Sequence, residues 1–175
     1  MITSEKKPYT FEWKDLGDIS VGRPNLGQYT RVSVYRLMQY TLRSTLIKEF
    51  GEERADNLFS ESGKLAGIEF CKNILNTDLK TNDFIADLHQ KLIDYSIGIL
   101  NIEKIDAENM RFTLTVSEDL ECSGLPVYGE TVCNFDEGFI AGIFQMYTGK
   151  EFVVKEIDCW STGDRTCRFT VNPIE

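Results

Sequence analysis

Apolar residues recur along this chain with two different periods, and the change from one to the other divides it. From Ser33 the spacing is helical: Val34, Leu37, Met38, Leu42 and Leu46 follow steps of three and four and define an inward face. Gly51 is placed to end that helix. A second helix is predicted from 52 to about 75, with Leu58, Ser62, Leu65 and Ala66 on one side. Its opening Glu52 and Glu53 suit the positive end of a helix dipole. A third starts near Thr81 or Asn82, both good caps, turns Phe84, Leu88, Leu92 and Tyr95 inward, and is closed by Gly98.

The period then becomes two. Phe112, Leu114 and Val116 alternate with Thr113 and Thr115, the pattern of a half-buried strand, so 99–105 and 110–117 read as a hairpin. A fourth helix covers roughly 136–147, with Phe139, Ile140, Ile143 and Phe144 apolar. Its Gly138 and Gly142, four apart, allow close approach to a neighbour, and Gly149 caps it. Segments 151–157 and 166–171 form a second hairpin. Helices come first and strands follow, so the expected class is α+β, with helices packed on a small antiparallel sheet. Residues 1–30, punctuated by Gly17, Gly22, Pro24 and Gly27, read as an arm with short strands around 9–13. Residues 31–175 then form a single domain.

Composition narrows the function classes. The 175 residues are 42% hydrophobic and 27% charged, as in a folded domain able to bury a core. The formal net charge of −9 repels nucleic acid and anionic membrane surfaces, so neither is expected as a partner. No apolar run approaches the ~20 residues of a membrane span. The opening MITSEKKPYTFEW lacks a signal-peptide core, which places the chain in the cytoplasm. Lasting disulfides are disfavoured there, and clustered cysteines are more often metal or redox sites.

Five cysteines are present, two of them in EIDCWSTGDRTCRFTV. A hairpin centred on Gly163 sets Cys159 opposite Cys167, each four residues from the centre. Opposed Cβ atoms lie ~4.5–5.5 Å apart. That suits two thiolates ~2.3 Å from a shared zinc, whereas a disulfide brings the Cβ atoms to ~3.8 Å. A metal, a disulfide and an unlinked pair all remain open on spacing alone. Glu156 and Cys133 are further candidates nearby. In a regular strand Glu156 and Cys159 point to opposite faces, so they converge only if the strand ends or bulges near Asp158.

The pattern E-x2-C-x3-G-x3-C-x-F, here Glu156, Cys159, Gly163, Cys167 and Phe169, resembles the signature of the 4-vinyl reductase domain family. CSGLPVYGETVCNFDEGFIAGIF and GRPNLGQYTRVSVYRLMQYTL are similar to the family's preceding segments, and the likeness covers roughly residues 20–172. Relatives include the sensory domains of phenol- and xylene-responsive transcription activators and proteins accompanying bacteriochlorophyll synthesis. The resemblance implies an α+β fold of the NO-signalling and Golgi-transport type, often dimeric. It also implies a structural zinc held by Cys133, Glu156, Cys159 and Cys167. Cys122 falls outside that set, and Cys71, alone on a helix, reads as a buried side chain.

Little else in the chain points to catalysis. The single histidine, His89, has no convincing serine partner, and no glycine-rich loop follows a strand. Nothing resembles a nicotinamide or flavin site. The aromatic residues suggest binding instead: Phe70, Phe84, Phe112 and Phe144 point inward by periodicity, and Tyr35 or Tyr40 could orient a ligand in an apolar cavity. The expected function is a zinc-containing sensor or carrier for a small hydrophobic or aromatic molecule, a homodimer that passes any signal to a separate output protein. The rival readings are a tetrapyrrole vinyl-group reductase or its accessory protein, and a scaffold without a ligand.

Overall fold

The computed structural model describes residues 9–106 and 108–174. After a short 3-10 turn (Trp13–Leu16) and the brief helix α1 (Ile19–Gly22), the chain forms α2 (Val32–Phe50), α3 (Glu52–Ile74) and α4 (Thr81–Asp94). A hairpin of β1 (Ile99–Asp106) and β2 (Arg111–Ser117) follows, then α5 (Asn134–Thr148), β3 (Phe152–Asp158) and β4 (Cys167–Pro173). The strands make one antiparallel sheet in the order β1-β2-β4-β3. The expected class, helices on a small antiparallel sheet, is what the chain adopts.

Alternation sets the inner face of that sheet. Phe112, Leu114 and Val116 of β2 lie beside Val171, Phe169 and Cys167 of β4, and Phe152, Val154 and Glu156 of β3 point the same way. Helix α5 covers this face. Phe144 packs on Phe112 and Phe152 with ring centroids 4.9 and 5.6 Å apart. Helix α4 closes the β1 side, where Phe84 stacks on Tyr147 at 3.7 Å. His89 there is bonded through Nδ1 to the Leu100 carbonyl at 2.6 Å.

The tightest contact is between α3 and α5. A Cβ added to Gly63 or Gly67 would lie 2.0 Å from the carbonyl oxygen of Phe135 or Phe139. A Cβ on Gly138 or Gly142 would lie 1.9 or 2.2 Å from those of Ser60 and Lys64. Each helix therefore offers two glycines one turn apart to the other's backbone. The close approach expected from Gly138 and Gly142 is present, and α3 supplies the matching half.

Four expectations change. The inward face of α3 is Ala55, Phe59, Gly63, Gly67 and Phe70, not the side bearing Ser62 and Leu65, because α5 selects the face that lacks side chains. On α2, Val34, Leu37, Met38 and Leu42 are exposed, and Gln39 is the buried residue. Helix α4 ends at Asp94, and Ser96 turns the chain with φ 55°. Gly98 instead makes room for the Val116 side chain, which a Cβ there would meet at 2.5 Å. Around residues 9–13 there is no strand among the described residues; the arm is held at Trp13, whose main-chain N–H donates to Glu69 Oε2 at 3.1 Å. The first eight residues of the expected arm lie outside the described residues.

Candidate metal centre

Local backbone features bring the thiols together. The β3–β4 register shifts between Glu156 and Asp158, so a bulge at Ile157 reverses the parity and turns both Glu156 and Cys159 inward. This is the irregularity that the spacing of those two residues requires. Cys159 then opens a 3-10 turn (Trp160–Thr162) that leads to Gly163 at φ 105°. Cys167 starts β4 opposite Val116. Cys133 immediately precedes α5, where its N–H donates to Glu156 Oε2 at 3.1 Å.

The fourth thiol is Cys122, which the sequence leaves outside the ligand set. Asp119 Oδ1 accepts from the N–H groups of Glu121 at 2.6 Å and Cys122 at 3.0 Å, folding the segment after β2 into a tight turn. Arg36 of α2 ties this turn down by donating to the carbonyls of Leu120 at 2.8 Å and Asp119 at 3.2 Å. Such a turn, an Asp three residues before a Cys at a strand end, is the one sequence signal that marks Cys122.

Cys122, Cys133, Cys159 and Cys167 are all buried with their Sγ atoms within 4.8 Å of one another. A tetrahedron with zinc–sulfur arms of ~2.3 Å has edges of about 3.8 Å. Cys133 lies 3.8 Å from both Cys159 and Cys167, and Cys159 lies 3.9 Å from Cys122. The Cys122–Cys167 separation, 3.0 Å, is shorter than such an edge. Among the described residues, Glu156 Oε1 is buried without a hydrogen-bond partner. The donor set is the four thiols, which fits a thiophilic divalent metal.

The electrostatics single out one of the thiols for negative charge. Hydrogen bonds from Cys122, Cys133 and Cys167 hold the Cys159 thiol far below its ordinary value, whereas Cys133 and Cys167 are held up, chiefly by Cys122. Burial, reinforced by Cys159, pushes Glu156 up to about 8. Cys71 stands apart in the α3 core, its thiol raised to about 11 by burial.

Beside this centre, α2 and α3 enclose a groove of about 240 Å³, bounded by Met38, Gln39, Leu42, Leu58, Phe59 and Phe135, with Tyr35 at its edge. Burial, with the charge of Glu121 added, raises the Tyr35 phenol well above its usual range. Tyr40 donates to the Glu121 carbonyl at 3.1 Å. Phe70, Phe84, Phe112 and Phe144 lie in the core, and none of them bounds the groove. Among the described residues no helix is long and apolar enough to cross a membrane.

Residues 112–173 match the 4-vinyl reductase domain. That stretch is 62 of the 175 residues. It contains β2, α5 and the β3–β4 hairpin, and with them Cys122, Cys133, Glu156, Cys159 and Cys167. Beyond the 4-vinyl reductase segment, the chain is 27% identical over 150 residues to an uncharacterized protein of Methanocaldococcus jannaschii, covering 86% of this chain and 82% of that one. Its fold is similar to that of a vinyl-4-reductase family protein from the same organism (TM-score 0.63, 16% identity, 97% of this chain and all of the other). It is also similar to the phenol-responsive sensory domain of the transcription activator PoxR with phenol (TM-score 0.62, 17% identity, 82% and 75% covered). A third likeness is to trafficking protein particle complex subunit 3 of Naegleria fowleri, covalently bound to palmitic acid (TM-score 0.67, 11% identity, 82% and 95% covered). The 4-vinyl reductase resemblance and its Golgi-transport-type fold are therefore as expected from the sequence.

Proposed function

We propose that this chain is a zinc-stapled binding protein for a small hydrophobic or aromatic molecule, acting as a sensor or carrier. The observation that carries this reading is the apolar groove between α2 and α3, whose Gln39 is hydrogen-bonded to Glu121 in the turn that carries Cys122. The phenol of the PoxR sensory domain is consistent with such a ligand class. Zinc bound by Cys133, Cys159 and Cys167 with Glu156 would fix the β3–β4 hairpin against the start of α5. With no open position, its role would be structural. Residues 31–175 form the binding domain, with 1–30 as its arm. The chain works in the cytoplasm and signals through a separate protein.

Groove occupancy is tested with phenol and ethylbenzene on zinc-loaded protein by ligand-observed NMR. Binding is expected, and Leu58→Trp, which fills the groove, should weaken it at least about tenfold while leaving the melting temperature within a few degrees. Absence of binding, or binding indifferent to Leu58→Trp, would favour the scaffold reading.

The expected homodimer is assigned to α2. Val34, Leu37, Met38 and Leu42 form an exposed apolar stripe on a 19-residue helix about 28 Å long, and Met38 and Leu42 also bound the mouth of the groove. A second copy laid along this stripe covers both at once. Light scattering should give a dimer for the native chain and a monomer for Leu37→Glu; a native monomer would remove the dimer from the proposal.

A further inference from the structure

The segment that leads into α2 is as exposed as the stripe on the helix itself. Val21, Leu26 and Tyr29 are 75%, 77% and 82% exposed, and Val32 continues them onto α2. Segment 21–31, VGRPNLGQYTR, carries Arg23 and Arg31 and no acidic residue. In a chain of net charge −9 that is a local reversal of sign. Apolar side chains exposed together, with charge of one sign around them, mark a surface that a partner covers.

A complementary surface lies at the other end of α2. Where Gly51 joins α2 to α3, a pocket of about 310 Å³ is bounded by Phe50, Glu52, Glu53, Arg54 and Asn57. Phe50 is 61% exposed there, and Glu49 adds a third carboxylate. Lys48 and Arg54 also stand at this corner, Arg54 turned to Glu61 at 3.2 Å. Among the described residues none of Arg23, Arg31, Glu49, Glu52 and Glu53 has an ion-pair partner. The two surfaces do not meet within one chain. The 19 residues of α2 keep Arg31 and Phe50 about 28 Å apart. The arm is also held at that far end, where the Trp13 N–H donates to Glu69, toward the opposite end of α3 from Glu52.

We infer that two copies pack antiparallel along α2 and exchange arms, segment 21–31 of each lying over the α2–α3 corner of the other, with Leu26 against Phe50 and Arg23 and Arg31 against Glu49, Glu52 and Glu53. Charge selects this orientation. A parallel pairing sets basic segment beside basic segment and acidic corner beside acidic corner, whereas an antiparallel one sets opposite signs together and fixes the register. Pairing about Met38 brings Val34 of one copy opposite Leu42 of the other, both in the exposed stripe. Val32 then falls about 9 Å short of the second copy's Phe50 along the helix axis, a gap that residues 26–31 span. This inference rests on the α2 dimer and names what completes it.

The test is sedimentation equilibrium on the zinc-loaded full chain. Arg23→Glu with Arg31→Glu, and separately Glu49→Arg with Glu52→Arg, set like charges at both contacts of a homodimer and should weaken it at least about tenfold. A one-to-one mixture of the two variants should recover a heterodimer within about threefold of the native affinity, because each segment then faces a corner of opposite charge. Only a contact between copies gives recovery on mixing. All four positions are exposed, so both variants should keep the native circular dichroism spectrum. Leu26→Asp should weaken the native dimer by a similar factor, and a dimer indifferent to it removes the segment from the interface. Weakening by neither charge variant, or weakening by both without recovery on mixing, overturns the inference; if Leu37→Glu still gives a monomer, α2 stands as the interface without the arms. A native chain that is monomeric overturns both.

Discussion

Gly67→Ala should lower the melting temperature by about 2–12 °C. The new Cβ would sit 2.0 Å from the Phe139 carbonyl oxygen, an atom fixed in the α5 backbone that no rotamer change can move. Whole-helix displacement is the only relief, and it opens gaps under Phe139 and Ile143, both buried against the core. Overpacking of this kind costs about 1–3 kcal/mol and sometimes more, and each kcal/mol is worth about 2–4 °C in a chain of this size. The sign is informative because Gly→Ala within a helix otherwise stabilises by roughly 0.5–1 kcal/mol. Gly138→Ala should behave alike from the other side, where the carbonyl of Ser60 would be 1.9 Å away. Gly22→Ala is the control, since nothing lies within 4 Å of its added Cβ, and it should be neutral. A melting temperature for Gly67→Ala at or above that of the native chain would show that the two helices do not approach this closely in solution.

The same seam shows what the sequence conveys and where it stops. Gly138 and Gly142 stand out because they interrupt an apolar helix, whereas Gly63 and Gly67 sit among polar neighbours in SESGKLAGIEF, where apolar periodicity favours the wrong face. Periodicity measures side chains, and this face is defined by their absence. On α2 the apolar stripe is legible, but a stripe says only that something should cover it, not that the cover belongs to the same chain. Hairpin arithmetic places Cys159 across from Cys167 and requires a bulge before it, because both follow from local geometry. Cys122 escapes it because its place depends on how the loop after β2 folds over the start of α5, and no local rule fixes that contact.

With zinc bound as proposed, Cys159→Ser should release it and produce the larger of the two losses of stability. Structural zinc in small sites contributes on the order of 10 kcal/mol to folding, and its removal here would leave the Glu156 carboxyl and the remaining thiols buried without a counterion. Cys133→Ser and Cys167→Ser should act alike, because both belong to any tetrahedral set the cluster can form. The fourth position separates two sets. Cys122 lies 3.0 Å from Cys167, too near for a tetrahedral edge of about 3.8 Å, while Glu156 presents an oxygen with no other partner and keeps its second oxygen on the Cys133 N–H. Glu156→Gln should therefore weaken metal binding far more than Cys122→Ser, which removes only an outer thiol and should cost about 10–100-fold in affinity. Cobalt substitution gives an independent reading: thiolate-to-metal absorption should keep its intensity in Cys122→Ser if three sulfurs bind, and fall by about a quarter if four do. Native protein that carries no metal and holds Cys159 joined to Cys167 by a disulfide would exclude both sets, and would make the hairpin a redox element, since the same register that suits a shared metal also lets the two sulfurs meet.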